Sequence, residues 1–130
     1  QQSIRWVNNA IAAMNAGPTI ILAITLRKTE SFIGVVSLRF SDNGVPQLGY
    51  WLGTKYHGMG YCTEAVNALI QYAFNQLELP EIMARCASNN TASKNVMLRC
   101  GMQEIIEESS SEIIKGKRVE LFVYRKKRLT

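Results

Sequence analysis

The sequence has few of the residues on which disulfide-rich folds and metal sites depend. Its 130 residues include three cysteines, three prolines and one histidine. A small, odd number of cysteines does not build a disulfide framework, and Cys62, Cys86 and Cys100 lack the close CxxC spacing of metal ligands. We therefore expect no metal, packed and reduced thiols, and a cytoplasmic protein.

A long apolar run is also missing. No run approaches the roughly 18 to 20 residues that cross a bilayer, and the start of the chain has neither the basic residues nor the apolar centre of a signal peptide. The sequence begins at Gln1 rather than Met, so it could be a piece of a longer protein. With 130 residues and 47% hydrophobic content, we expect one soluble domain over residues 1–130.

The net charge is moderate and does not identify the class of binding partner. The net charge of +5 could favour nucleic acid, an anionic membrane surface or a phosphorylated small molecule. The basic run "RKKR" over residues 125–128 is interpreted as a solvated tail. No reading helix or interleaved aromatic and basic strand supports a nucleic-acid-binding domain, which stays as a weaker alternative.

Hydrophobic periodicity and turn residues predict nine elements. Apolar residues at three- and four-residue steps predict the first helix, and Gly17 with Pro18 would end it. In chain order, the predicted elements are a helix over 3–16, strands over 19–27, 32–40 and 46–53, a helix from the glycine loop to Leu77, a strand over 81–88, a helix over 91–100 and strands over 102–109 and 118–127.

One connection determines the fold class. The long helix between the strands at 46–53 and 81–88 is a crossover, which makes those two strands parallel, while short turns make the other pairs antiparallel. We therefore expect an α/β (α+β) domain with a mixed, mainly antiparallel sheet. The carboxyl ends of the two parallel strands would meet at one edge, where ligand crevices form.

Two glycines stand where the third strand passes into the long helix, in "GYWLGTKYHGMGYCTEA". The first N–H groups of a helix have no partners within it, and a phosphate can bind them. Gly58 and Gly60 could let residues 59–63 present such donors to a ligand. A tight turn is the simpler alternative. Neither GxxxxGK[ST] nor GxGxxG is present, because Lys55 precedes the glycines and Thr63 takes the place of a third glycine.

Two separated blocks carry a family resemblance. "LGYWLGTKYHGMGYCTEAVNALIQYAF" and "IMARCASNNTASKNVMLRCGMQE" resemble the acetyl-CoA-binding core of the GNAT superfamily of N-acetyltransferases, in its RimJ/RimL-like branch, over about residues 47–104. The resemblance implies the GNAT-like sheet with helices on both faces. It also implies transfer of an acetyl group from acetyl-CoA to a primary amine, on a protein N-terminus or a small molecule, by direct attack in a ternary complex.

The resemblance assigns the coenzyme site. The [QR]-x-x-G-x-[GA] loop of the superfamily falls on residues 57–62, where His57 replaces its first residue and Cys62 its small last one. The pyrophosphate would lie on the amides of residues 59–63, and the pantetheine would enter between the splayed strands. Lys94, with Arg99 and Lys55, could pair with the 3′-phosphate. The implied coenzyme-binding residues are His57, Gly58, Met59, Gly60, Tyr61, Cys62, Thr63, Asn90 and Lys94.

The resemblance also assigns catalytic residues. Its Asn-x-x-Ser pair falls on Asn90 and Ser93, so that Asn90 would bind the pantetheine or orient groups near it, and Ser93 would protonate or hydrogen-bond the leaving thiolate. The simpler roles are a helix N-cap and a polar first-turn residue. Tyr50 and Trp51 could line the slot or belong to the core.

The base and the acceptor stay open. Gln47 stands where many relatives carry a glutamate, which leaves water, Glu104 or loss of solvent to take the proton of the amine. We expect the domain to lack the usual N-terminal strand and helix of the acceptor side, and the strand edge left free could favour a homodimer. A non-catalytic acyl-CoA-binding or sensing module is the main alternative to an enzyme.

Overall fold

The computed structural model describes residues 4–14, 17–41 and 44–129. In these ranges the chain forms one eight-stranded sheet and two α-helices. The strands are β1 (Ile4–Met14), β2 (Gly17–Leu26), β3 (Phe32–Arg39), β4 (Gln47–Leu52), β5 (Glu81–Ala87), β6 (Gln103–Glu104), β7 (Ser110–Ile114) and β8 (Lys117–Lys127), and the helices are α1 (Tyr61–Asn75) and α2 (Thr91–Arg99).

The sheet has the predicted mixed topology. Its strand order is β1-β2-β3-β4-β5-β8-β6, and β7 pairs with β8. Every pair is antiparallel except β4 with β5, which are joined through α1 and run parallel. The predicted crossover is therefore confirmed. The parallel pairing is short, because only Gln47↔Met83 and Leu48↔Ala84 are in register.

Local turn chemistry explains two of the hairpins. Between β2 and β3, the amide of Glu30 donates to the carbonyl of Leu26 at 2.7 Å and that of Leu26 to Ser31 at 2.9 Å. Between β7 and β8, Lys115 and Gly116 have φ angles of 51° and 81°. Two successive positive φ angles match the right-handed twist of the flanking strands in a two-residue hairpin turn.

The core lies between the two helices and one face of the sheet. Helix α1 buries one side, with Ala65, Val66, Leu69, Ile70, Ala73 and Phe74. These residues form one buried cluster with β-strand residues such as Leu48 and Ala84 and with Met97 of α2. Both described helices therefore cover the same face, whereas the sequence analysis expected helices on both. In the described ranges, no helix has the length and apolar character needed to cross a membrane.

The first element differs from its prediction. Residues 3–16 were expected to form a helix, but the structure has β1 over Ile4–Met14, paired with β2 from Ile4↔Leu26 to Met14↔Gly17. That prediction is wrong for the described residues. The stretch is apolar at most positions, so its pattern also suits a strand, and pairing along the free edge of β2 satisfies its backbone groups.

The C-terminal strands also differ in part. The strand expected over 102–109 is reduced to β6, followed by a 3-10 turn at Ile106–Glu108. Strand β8 matches its prediction closely and contains most of the basic run, in which Arg125 pairs with Glu81 and Glu108. The Lys126 ammonium donates to the carbonyl of Cys100 at 2.9 Å. Residues 125–127 are therefore a part of the sheet, and the interpretation as a solvated tail is wrong for them, whereas Arg128 follows β8 and is exposed.

The position of α1 on the sheet predicts unequal costs for one substitution at two sites. Leu69 is 1% exposed and Leu98 is 49% exposed. We expect Leu69→Ala to lower the free energy of unfolding by about 2–5 kcal/mol because it leaves a cavity. Leu98→Ala, the matched control, should cost well under half of that. Urea unfolding followed by circular dichroism measures both, and equal costs would contradict the described packing.

Candidate active site

A cavity of about 840 Å³ opens where β4 and β5 stop pairing. Its walls are β4, β5, the loop before α1, the first turn of α1 and one side of α2. Most of the predicted site residues lie in these walls. They are His57, Gly58, Gly60, Tyr61, Cys62, Thr63, Asn90 and Ser93.

Two predicted residues lie outside the cavity walls. The side chain of Met59 is 60% exposed, at the tip of the loop. The Lys94 ammonium lies 6.0 Å from the centre of the Phe122 ring, a cation–π distance. Arg99, which the sequence analysis grouped with Lys94, does line the cavity. The 3′-phosphate role of Lys94 stays a prediction, and its position does not support it.

The two glycines of the loop have left-handed backbone conformations. The φ angles of Gly58 and Gly60 are 78° and 83°. A Cβ atom added at either position would meet nothing within 4 Å. The backbone conformation, rather than a lack of space, therefore requires glycine at both positions.

Helix α1 starts without a capping side chain. Gly60 is its N-cap residue and makes no side-chain cap bond. The first intrahelical hydrogen bond runs from the amide of Glu64 to the carbonyl of Gly60 at 3.0 Å. The amides of Tyr61, Cys62 and Thr63 therefore precede the ladder, at the positive end of the helix dipole. Such a helix start can bind a phosphate group.

His57 ties the loop to the end of β4. Its ring Nε2 lies 2.8 Å from the carbonyl oxygen of Leu52, and because a carbonyl only accepts, Nε2 donates. The sequence analysis expected phosphate contact or solvent exposure for this residue. His57 is exposed, and its hydrogen bond indicates that it positions the loop.

The start of α2 faces the cavity with a capped first turn. The Asn90 Oδ1 accepts from the amide of Ser93 at 3.0 Å, so Asn90 has the N-cap geometry that was its simpler alternative. The Ser93 hydroxyl is 2.5 Å from the hydroxyl of Tyr50. Tyr50 belongs to β4, so this contact joins the two sides of the cavity.

Tyr50 is the functional candidate to which the sequence analysis gave no definite role. It lines the cavity and its hydroxyl reaches Ser93. Alternation along β4 places Tyr50 on the same face as Leu48 and Leu52, which are both buried. That signal was in the sequence, but the contact with Ser93 depends on the packing of α2 against the sheet.

Burial keeps two groups of the site protonated. It raises the pKa of Tyr50 to about 12, although the hydrogen bond with Ser93 opposes the shift. Burial, with a smaller contribution from Cys100, raises the pKa of Cys62 to about 12. Cys62 is therefore a neutral thiol at physiological pH and lacks the thiolate that a nucleophile needs.

No carboxylate lines this cavity within the described ranges. The amide of Gln47 lies there, and its Oε1 accepts from the Arg39 guanidinium at 3.1 Å. Glu104 lies on β6, opposite Tyr124 of β8, and outside the cavity. Among the described side chains no group of three or more His, Cys, Asp or Glu could hold a metal ion.

Comparison with known proteins identifies the family of the chain. A family model described as an acetyltransferase (GNAT) domain matches residues 1–103. The chain belongs to the GNAT acetyltransferase family. This confirms the family that the two sequence blocks predicted, and the match extends beyond those blocks to the first strands.

Three relatives illustrate the similarity. An uncharacterized N-acetyltransferase, p20, of Bacillus licheniformis is 30% identical over 104 residues, or 78% of this chain and 58% of that protein. The ribosomal-protein-serine acetyltransferase of Escherichia coli (strain K12) is 33% identical over 76 residues, or 57% of this chain and 42% of that protein. A structure of the microcin C7 self immunity acetyltransferase MccE in complex with acetyl-CoA and AMP has a TM-score of 0.72 and 31% identity, covering 84% of this chain and 61% of that one.

This GNAT chain spans about half the length of the curated relatives it matches, from 58% of the first to 42% of the fourth. The residues that the family model matches, 1–103, include the glycine loop and the crossover between β4 and β5. Activity, substrates and partners of the whole protein are therefore matters for proposal.

The capped start of α2 predicts that Asn90 contributes to stability whether or not it meets a ligand. We expect Asn90→Ala to lower the free energy of unfolding by about 0.5–2 kcal/mol, because the amide of Ser93 loses its acceptor. Asn90→Asp keeps an oxygen acceptor and should be close to the wild type. Chemical denaturation measures both variants, and an unchanged stability of Asn90→Ala would contradict the cap.

Proposed function

We propose that this chain is the coenzyme-binding core of an acetyl-CoA-dependent N-acetyltransferase. The observation that carries the proposal is that the free first-turn amides of α1 and the unpaired edges of β4 and β5 open into one cavity. Family membership supports it, as does the 31% identity to an acetyltransferase whose structure holds acetyl-CoA. The acetyl group would move to a primary amine by direct attack in a ternary complex.

The residues present fit the coenzyme. The amides of residues 59–63, with the open helix start after Gly60, would hold the pyrophosphate, and His57 would keep the loop in place through Leu52. The backbone groups of β4 beyond Leu48 have no strand partner on the β5 side. They could pair with the amide groups of a pantetheine arm, as an added strand would.

Bound acetyl-CoA supplies the activated acyl group. Ser93 would donate a hydrogen bond or a proton to the leaving thiolate, Tyr50 would return a proton to the Ser93 oxygen, and solvent, which takes the proton of the amine, would restore that of Tyr50. Because its pKa is about 12, Tyr50 keeps its proton and can donate to the Ser93 oxygen. The Ser93 hydroxyl is then free to donate toward the cavity. In this assignment Ser93 is the catalytic group and Tyr50 its positioning residue.

The lack of a carboxylate in the described cavity walls bears on the acceptor. Without a strong base, the amine must lose its proton to water, which favours amines that are already neutral in part. An α-amino group has a pKa of about 8 and a lysine side chain one of about 10.4, so the α-amine is neutral far more often at pH 7.5. This supports a protein N-terminus or a small α-amine as the acceptor. A cytoplasmic setting and a homodimer stay separate proposals, on which this cavity does not bear.

The lack of a carboxylate in the described cavity walls also favours a second candidate function. A cavity without a general base could bind acyl-CoA and not turn it over, which would make the chain a binding or sensing module. Binding without release of free CoA in the presence of amines would identify this function.

The proposal predicts that a negative side chain at the loop abolishes coenzyme binding. Calorimetric titration should give acetyl-CoA and CoA affinities on the order of 1–100 μM. Gly60→Glu should lose this binding, because its carboxylate would repel the pyrophosphate and its backbone would be strained.

Gly116→Glu is the matched control. Gly116 has a φ angle of 81°, close to that of Gly60, and lies in the turn between β7 and β8. It should bind like the wild type. If the wild type binds neither acetyl-CoA nor CoA, both the transferase function and the sensor function are contradicted. If Gly60→Glu binds them as the wild type does, the proposed pyrophosphate site is contradicted.

The hydroxyl pair predicts a change in kcat without a change in coenzyme affinity. Ser93→Ala should lower kcat by about 100-fold or more, and Tyr50→Phe by about tenfold, since general acid catalysis contributes about 10²–10⁴. The ratio of the wild-type kcat to the kcat of Tyr50→Phe should be constant between pH 7 and 9, because the pKa of Tyr50 is about 12.

Tyr72→Phe removes a hydroxyl from the exposed side of α1 and serves as the control. Release of CoA thiol gives the rates, and calorimetry gives the acetyl-CoA Kd. A full rate for Ser93→Ala with a chosen amine would rule out the assigned acid.

A further inference from the structure

A second cavity, of about 490 Å³, lies on the other face of the sheet. The side chains of β4 and β5 alternate between the faces, and those of Gln47, Met83 and Arg85 belong to this second face. Gln47 and Arg85 line both cavities. The two cavities therefore meet at the point where β4 and β5 stop pairing.

The second cavity follows a row of cross-strand neighbours. Register pairs Arg39 with Gln47, Gln47 with Met83, and Met83 with Arg125, across four strands. Neighbouring strands are about 4.8 Å apart, so the row is about 14 Å long. Arg85 is the next residue of β5 on this face, beside the opening between the strands.

The charges of this row are unequally compensated. The guanidinium of Arg125 pairs with Glu108 at 3.0 Å and with Glu81 at 3.2 Å. Within the described part of the chain, Arg39 contacts only the neutral amide of Gln47, at 3.1 Å, and Arg85 contacts no carboxylate. Both Arg39 and Arg85 are exposed to solvent. Glu108 also lines this cavity, but its carboxylate is paired with Arg125, so the guanidinium groups of Arg39 and Arg85 are the ones available to an anion.

The guanidinium groups of Arg39 and Arg85 favour a negatively charged ligand on the second face of the sheet. A guanidinium binds a carboxylate through two parallel hydrogen bonds, which fixes orientation as well as charge. The same groups repel an additional ammonium group, so polyamines are disfavoured. Arg85 is beside the opening, and Arg39 is two strands away, so an anion can bind within a few bonds of the opening.

We propose that the second cavity is the acceptor site and that it selects amines carrying a carboxylate a few bonds from the nitrogen, held by Arg85 and Arg39. This inference rests on the proposed function, because it takes the opening between β4 and β5 as the place of acetyl transfer. The carboxylate could be the α-carboxylate of a free amino acid or the side chain of an acidic residue that follows the N-terminal residue of a peptide.

The test compares acceptors with and without a carboxylate, with each kcat/KM expressed per concentration of neutral amine, because a carboxylate also raises the pKa of a neighbouring amine. Ala-Asp-Ala-amide, Ala-Asn-Ala-amide and Ala-Lys-Ala-amide form the peptide arm, and alanine with alaninamide the free amino acid arm. Release of CoA thiol gives kcat/KM for each. We expect the carboxylate acceptor of one arm to exceed its neutral partner by about 10- to 100-fold, mainly through KM, since charged hydrogen bonds have that strength. The arm that shows the preference identifies the source of the carboxylate.

Variants assign the preference to the arginines. Arg85→Gln should reduce it to about threefold or less, and the double variant Arg85→Gln with Arg39→Gln should abolish it. Arg128→Gln, an exposed arginine after β8 and outside both cavities, should keep it in full. Because Arg85 also lines the larger cavity, calorimetric titration gives the acetyl-CoA Kd of each variant, and the acceptors are compared at saturating acetyl-CoA.

Two results would overturn the inference: a preference below twofold in both arms, or a preference that persists in the double variant. Titration of the peptides into the protein with free CoA separates this from a failure of the proposed function. Turnover with equal rates for all acceptors would keep the transferase and reject the inference. Carboxylate-dependent binding without turnover would keep the inference and reject the transferase. Absence of both binding and turnover would reject the inference and the transferase together.

Discussion

The parallel pairing between β4 and β5 stops after two residue pairs, and the arrangement of the candidate site follows from that. Had the pairing continued, the backbone groups of the two strands would have satisfied one another and no opening would exist. Because it stops, the backbone edges beyond Leu48 and Ala84 are left without strand partners. The larger cavity reaches this opening from the helical face, and the smaller one from the opposite face.

The opening is held by contacts from both helices rather than by the sheet alone. The Cys100 thiol, at the end of α2, lies 3.6 Å from the carbonyl of Thr63 in the first turn of α1. The start of α2 is joined to β4 through Ser93 and Tyr50. Both helices are also anchored in the same buried cluster. A site built between rigid elements keeps its donors in position before a ligand binds, which lowers the entropy cost of binding.

The sequence predicted what depends on short-range interactions. Gly58 and Gly60 adopt left-handed conformations in the loop before α1, and Asn90 caps α2. The crossover from β4 to β5 followed from the length of its connection. The prediction failed over Ile4–Met14, where pairing with β2 decides the conformation, and over 102–109, where a 3-10 turn interrupts the expected strand. Packing between distant elements also determined that Tyr50 meets Ser93 and that Lys94 lies over Phe122 rather than in the cavity.

The distribution of positive charge explains why the net charge of +5 could not indicate a partner. Part of the basic run is engaged within the fold, because Arg125 binds two carboxylates and Lys126 binds a backbone carbonyl. On the helical face of the opening, the positive potential comes from the backbone amides that begin α1, which suits a phosphate group at any side-chain composition. On the other face it comes from the guanidinium groups of Arg39 and Arg85, whose planar geometry suits a carboxylate. A single number cannot separate these two sources, whereas their positions on opposite faces of one opening can.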